Sequence, residues 1–496
     1  MTTVATRYSG ASGVQSTGSS DELGLSTNER RPVRFHARVD RHVHSLKLSL
    51  QTLGELVWSE YQWMDEREFA RYMEMVLDPV ITVHPDRVFF EAFSQDMSSY
   101  GLVVADREIF DPDGEVQCGT TNIDFTKGLW RSLEQMRSRR ETNFGVGPTG
   151  FGVTTDEGPT HVEEKVDLPD SWVRGFLQLQ GAMAMPGTRV TARPVDIASI
   201  VRTLQHKTAF ESPRSMRFEF EPGEDAQVVL EPWEDSITLR GASHNYGEHK
   251  TTRIWGRYRL ELIENLLPYA SKIDIYLKGR ALPAFYAVEL PGVTFVLGLS
   301  GWTGNNWTQE ASFDMLTSSR VDDELVDNTL GWLRENFNGS VKVVADDLGE
   351  SVDETARALS QLCRYGMAIY DVETREYRHR ELFEERIDPE DYFPPNPRKE
   401  ESIELVEDGA VELTKDEIRE TEKQDGFGGT KVFEDRVIEG VVDDEETHVV
   451  LQSSGRIIFG RCTCDFFDEN LMNMGPCEHM LALRRYVDTE IDRSLS

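Results

Sequence analysis

The sequence predicts a multi-domain α+β protein that ends in a small metal-binding module. Three observations carry this. At 496 residues the chain is too long for one hydrophobic core and requires several domains. Helical and strand periodicities alternate along most of its length. Three of its five cysteines, Cys462, Cys464 and Cys477, fall in one short C-terminal stretch.

Residues 1–31 are rich in Ser, Thr and Gly and read as a disordered tail. Order is expected from Pro32, with a strand over 34–39 and a helix over 46–64 carrying Leu46, Leu50, Leu53, Leu56 and Val57. A second helix is expected over 67–76, before Asp78-Pro79. Short strands follow at 80–83, 87–92, 101–104 and 122–125, then a helix over 129–137. The Gly- and Thr-rich stretch 144–160 reads as a loop or hairpin. Asp170 caps a helix over 171–183, and 196–204 is a shorter one. This gives an N-terminal α+β domain over 32–210.

From Met216 the period changes to two, with Met216, Phe218 and Phe220 alternating with polar residues. Further strands are expected at 228–230, 237–239, 273–277, 285–289 and 293–299, with a helix over 257–267. This β-rich α+β domain spans 211–320.

Residues 321–387 form a distinct unit. Helices are expected over 326–336 and 341–348, and a third begins at Ser351 with Glu354 completing a capping box. Its apolar face carries Leu359, Leu362 and Cys363, and Gly366 ends it. Strands at 367–370 and 377–382 then pair across Glu373-Thr374. Three helices followed by a β-hairpin is the winged-helix order. Residues 388–429 are acidic and polar and read as a linker.

The last unit, 430–491, has strands at 436–442, 448–451 and 456–461, then Cys462-Thr463-Cys464 and, after a spacer, Cys477-Glu478-His479. Pro476 introduces a helix through Leu481, Leu483 and Tyr486. Three Cys and one His supply the four N or S ligands that tetrahedral zinc prefers. Four protein ligands leave no place for an activated water, which argues against hydrolytic metal chemistry.

The C-x-C, spacer, C-x-H pattern between a β-hairpin and a helix resembles the SWIM zinc finger, on Cys462, Cys464, Cys477 and His479 with Gly475-Pro476 before the third ligand. With Gly298 to Asn305 and the stretch ending Tyr377-Arg378-His379-Arg380-Glu381-Leu382, nearly all of 34–490 is similar to prokaryotic SWIM zinc-finger proteins. That resemblance implies a Zn2+ cofactor and an adaptor role beside a MoxR-type AAA+ ATPase or a von Willebrand factor A protein. Other SWIM proteins accompany helicase-like ATPases, transposases and recombination factors, so the alternative is a nucleic-acid-binding regulator or recombination accessory.

The formal net charge is −35. Such an excess repels nucleic acid and anionic membranes at low salt. It fits either a cationic partner or work in high salt, where charges are screened. The acids are spread along the chain, which favours the second reading, and the composition looks like that of a halophilic archaeal protein. Residues 1–20 lack the basic start and apolar core of a signal peptide, and no run reaches membrane-spanning length, so a cytoplasmic protein is expected.

Other motifs are weaker. Gly145, Gly147 and Gly150 spell G-x-G-x-x-G without the strand-then-helix context of a dinucleotide site. The chain has no P-loop motif, and Ser300 misses the nucleophile-elbow spacing. His42, His44, His244 and His249 lack an evident ligand set. In the winged-helix unit Arg364, Arg375, Arg378 and Arg380 are the candidate nucleic-acid contacts, although Asp353 and Glu354 lead its third helix. Trp302 and Trp307 are candidate partner contacts or buried anchors. No catalytic residue is assigned, and a binding protein rather than an enzyme is expected.

Overall fold

The computed structural model describes residues 6–8, 12–16, 20–27, 33–59, 79–123, 133–136, 141–147, 163–165, 170–185, 187–210, 213–244, 246–279, 282–300, 307, 321–383, 386, 392, 396–424, 430–452, 457–472 and 475–495. Mixed α and β structure with several sheets is observed, as the periodicities require. No described helix is long and apolar enough to cross a membrane.

An antiparallel eight-stranded sheet organises the body. Its spatial order is Thr188–Ala192, Lys272–Leu277, Ala284–Leu290, Val293–Leu299, Ser99–Asp106, Arg87–Phe93, Val80–Val83 and Gly119–Asn122. Its central strands are buried on both faces, which is why they read as nearly continuous apolar runs. Along Ser99–Asp106, Val103 and Ala105 enter one core while Tyr100, Leu102 and Val104 enter the other.

Helix α1 (Val43–Val57) covers the first face with Leu46, Leu50, Leu53 and Leu56. Helix α2 (Asp170–Ala184) covers the second with Val173, Phe176, Leu179 and Met183. Helix α3 (Pro194–His206) joins the first core, as does the four-stranded sheet around Met216–Phe220. The expected helix near 257–267 is a 3-10 helix, Arg257–Tyr269.

The unit after residue 320 contains α4 (Asp323–Asn336), α5 (Val341–Leu348) and α6 (Val352–Arg364), followed by the hairpin Ala368–Asp371 and Glu376–His379. A two-residue strand, Asn338–Gly339, adds a third member to its sheet. Ser351 caps the helix as expected, its Oγ accepting from the Glu354 amide at 3.2 Å, and it donates its hydroxyl to the Glu354 carboxylate at 2.7 Å.

Several expectations need correction. Residues 1–31 are not wholly a tail, because Ser20–Ser26 lies parallel to Glu141–Gly147 and Leu23 and Leu25 are buried. Gly145 and Gly147 therefore sit within a strand, and Gly150 lies outside the described residues. The division at 210/211 cuts one continuous sheet, since Thr188–Ala192 pairs with Lys272–Leu277. The stretch 388–429 is not merely a linker. It holds α7 (Pro397–Glu407) and a long strand, Val411–Gln424, that pairs with Thr430–Val442. That strand is polar because it lies at a sheet edge, with Ile418 70% exposed, and backbone pairing rather than burial secures it. The helices expected at 67–76 and, in large part, at 129–137 fall outside the described residues.

Candidate metal centre

The C-terminal sheet runs Val411–Gln424, Thr430–Val442, Glu445–Gln452 and Ile457–Cys462 in spatial order. The short helix α8 (Asp465–Asn470) follows, then α9 (Glu478–Leu495), which packs on the sheet through Met480, Leu483 and Val487. Contact is close. A Cβ on Gly460 would lie 2.7 Å from Met480 Sδ, and one on Gly440 would lie 2.8 Å from Leu483 Cδ1.

This packing gathers the ligand set. Cys462 ends the last strand, Cys464 is the N-cap of α8, Cys477 immediately precedes α9, and His479 lies in its first turn. All four are buried, and their ligand atoms lie within 4.8 Å of one another. Cys462 Sγ is 3.8 Å from His479 Nδ1 and 3.4 Å from Thr447 Oγ1. The cluster could hold a metal ion, and it is the sole such group found among the described residues.

The electrostatics of the cluster are uneven. A hydrogen bond from Cys477, with others from His479 and Thr447, holds the Cys462 thiol well below its ordinary range. Burial pushes Cys464 up, and the neighbouring Cys462 sulfur pushes Cys477 up. Burial works against protonation of His479, but its hydrogen bond with Cys462 raises its pKa.

Two neighbours escaped sequence reasoning. Thr447 is brought to Cys462 by the register of the sheet. Arg398 comes from α7, inside the stretch read as a linker, and donates to the Pro476 carbonyl at 2.8 Å. Neither carries a local motif.

The other candidate residues lie elsewhere in the fold. Arg378 and Arg380 are 1% and 0% exposed. Arg378 donates to Asp371 at 2.9 Å and to Asp86 at 2.8 Å, and Arg380 pairs with Glu91 at 3.0 Å. These cations fasten the unit to the body and cannot meet phosphates in this arrangement. Arg375 occupies the hairpin turn with φ +59°, and Arg364 contacts Gln361 at 3.3 Å. Helix α6 packs against α2, with Thr355 and Leu362 fully buried. Trp307 is also fully buried, its amide bonded to the Met97 carbonyl at 2.8 Å, so it is an anchor and not a partner contact. Trp302 lies outside the described residues. Cys363 is a core thiol in the unit, as its helical spacing implied.

No family model and no curated protein matches the chain. Among solved structures it is similar to proliferating cellular nuclear antigen from Entamoeba histolytica, at TM-score 0.33 and 10% identity over 53% of this chain and 97% of that one. Similar values hold for the PCNA2-PCNA3 complex from Sulfolobus tokodaii (TM-score 0.33, 10% identity, 54% and 98% covered). They hold also for PCNA from Thermococcus kodakaraensis (TM-score 0.33, 11% identity, 53% and 98% covered). Likenesses this low define no function for the chain.

Proposed function

We propose that Cys462, Cys464, Cys477 and His479 hold one zinc ion in a closed structural site, and that the chain is a non-enzymatic adaptor whose zinc-stabilised module serves binding. The observation that carries this is the convergence of four buried N and S donors within 4.8 Å. Three thiols and an imidazole are a common structural zinc set. Zinc bonds of about 2.3 Å to sulfur and about 2.0 Å to nitrogen give a tetrahedral S···N edge of about 3.5 Å. The 3.8 Å between Cys462 Sγ and His479 Nδ1 is close to it. Four protein donors leave the metal no open position for a reacting water, so its contribution is to folding.

The β-hairpin, ligand and helix order supports assignment of this module to the SWIM type. The order of helices and strands over 321–383 supports a winged-helix unit. The SWIM resemblance makes an AAA+ ATPase the partner class of choice. A nucleic-acid role is the weaker reading, because Arg378 and Arg380 are buried in ion pairs and α6 lies against α2.

Metal analysis of the purified full chain tests the first part: one zinc per chain is expected, and none in Cys477→Ala. Zinc retained at one per chain in that variant would refute the ligand set. Affinity capture at high salt tests the second. An AAA+ ATPase retained after nuclease treatment supports the adaptor, whereas association abolished by nuclease transfers the weight to nucleic acid.

A further inference from the structure

Zinc ligands are held in place by neighbours that fix the backbone around them, and loss of such a neighbour weakens metal binding. Here the ligands come from two separate turns, Cys462-Thr463-Cys464 and Cys477-Glu478-His479. Each turn carries a residue that meets the same side chain. Phe466, two positions beyond Cys464, lies under the Arg398 guanidinium, with Cζ 4.4 Å from the ring centroid. Pro476, the residue before Cys477, accepts a hydrogen bond from Arg398 Nη1 at 2.8 Å.

We propose that Arg398 is a positioning residue for the metal centre, clamping the two ligand-bearing turns together from a helix outside the Cys/His segment. This rests on the zinc reading above. The planar guanidinium suits the task, since its face stacks on an aromatic ring while its edge donates hydrogen bonds. Fixing the Pro476 carbonyl fixes the peptide that leads into Cys477, and hence the direction of its thiol. Arg398 is itself held at the start of α7, where the Asn396 side chain accepts from its amide at 3.1 Å. Helix α7 in turn packs along α9. The metal-binding module therefore begins near Asn396 rather than at residue 430, and the acidic segment is part of its scaffold.

Helix α7 also lies near the body. Arg174 of α2 reaches the Tyr392 carbonyl at 3.5 Å, and Leu405 and Val406 join the buried cluster that runs from Phe176 to Leu483. The clamp thus links metal loading to the seating of the module on the body.

The test uses the full-length zinc-loaded protein, with zinc transfer to an excess of 4-(2-pyridylazo)resorcinol as the readout. Arg398→Met keeps the aliphatic stem and removes the donors. It is expected to lower zinc affinity about 10–100-fold and to speed transfer. Arg398→Lys, which keeps a cation and a donor nitrogen but loses the plane, is expected to fall between Met and wild type. Cobalt substitution gives a second readout, because altered ligand positions shift its visible absorption even where the variants fold less well. Wild-type zinc transfer and an unchanged cobalt spectrum in Arg398→Met would overturn the clamp while leaving the zinc site intact. Absence of zinc from the wild-type protein would instead refute the zinc reading itself.

Discussion

Arg380 and Glu91 stand 289 positions apart in sequence yet meet at 3.0 Å with neither side chain exposed. Tyr100 completes the group by donating its hydroxyl to the same carboxylate at 2.8 Å. The helical unit is thereby fixed to the eight-stranded sheet by buried charge. A pair of this kind contributes little net stability relative to apolar residues, but breaking it strands an ion in a low-dielectric interior.

Arg380→Met is accordingly expected to destabilise the protein by about 3–5 kcal/mol, because Glu91 loses its cation. Replacing both partners, Glu91→Leu with Arg380→Met, should recover most of that loss. Urea unfolding followed by tryptophan fluorescence checks this. Equal losses in the single and double variants would show that the junction does not depend on the pair.

The same junction is expected to respond to pH through His84. Its Nε2–H donates to the His379 carbonyl at 2.6 Å, its ring lies edge-on to Phe337, and burial lowers its pKa to about 4. Asp86, Arg378 and His379 are its charged or titratable neighbours. An unfolded histidine titrates near its ordinary value of about 6.5, so between about pH 6.5 and 4 the unfolded chain binds more protons. Stability must then fall as pH drops through that window, by on the order of 3 kcal/mol in total. His84→Gln can keep the bond to His379 without titrating, and a stability-versus-pH series should be flatter for it over this range.

Glu381 acts in the same sense at lower pH. Its hydrogen bond with His379, aided by Arg334 at 2.9 Å, lowers its pKa to about 2. A depressed carboxyl contributes stability above its unfolded value of about 4.3, and that contribution disappears as pH falls towards 2. Glu381→Gln should lower stability at pH 7 yet converge on wild type near pH 2, a convergence that acid-titrated thermal melts can detect.

Gly440 permits the edge strand and α9 to approach one backbone from two sides. A Cβ there would lie 2.7 Å from the Glu412 carbonyl oxygen and 2.8 Å from Leu483 Cδ1. Gly440→Ala is expected to cost about 1–3 kcal/mol by overpacking. Limited proteolysis should then cut preferentially in the C-terminal module. Unchanged resistance would mean that the edge strand moves aside at no cost.

Metal removal should unfold the same module. Cysteine ligands bind zinc as thiolates, so protons compete with the metal and lower pH favours the unfolded, metal-free chain. Chelation at pH 7 should reduce helicity, and acidification should need less chelator for the same loss. Full helicity and protease resistance without metal would argue against coupled folding.

Much of the site was present in the sequence because its signals are local. The spacing of Cys462, Cys464, Cys477 and His479, the Pro476 helix start and the Ser351 helix cap each depend on residues close in the chain. The apolar strands of the body were legible for a related reason, since burial on both faces demands continuous hydrophobic runs. Strand Val411–Gln424 was not, because an edge strand exposed to water carries no such pattern.

Pairing between distant residues emerges only when the chain is folded. A basic run such as Arg378 and Arg380 looks the same whether it faces solvent or a carboxylate, and Glu91 and Asp86 are the partners that settle it. Arg398 likewise has no local mark, and it gains meaning when α7 meets Phe466 and Pro476. Local order along the chain was enough to mark the metal-binding atoms and many of the helix starts. The fold decided which charges are spent inside the protein, because desolvation and ion pairing depend on neighbours that chain order does not specify.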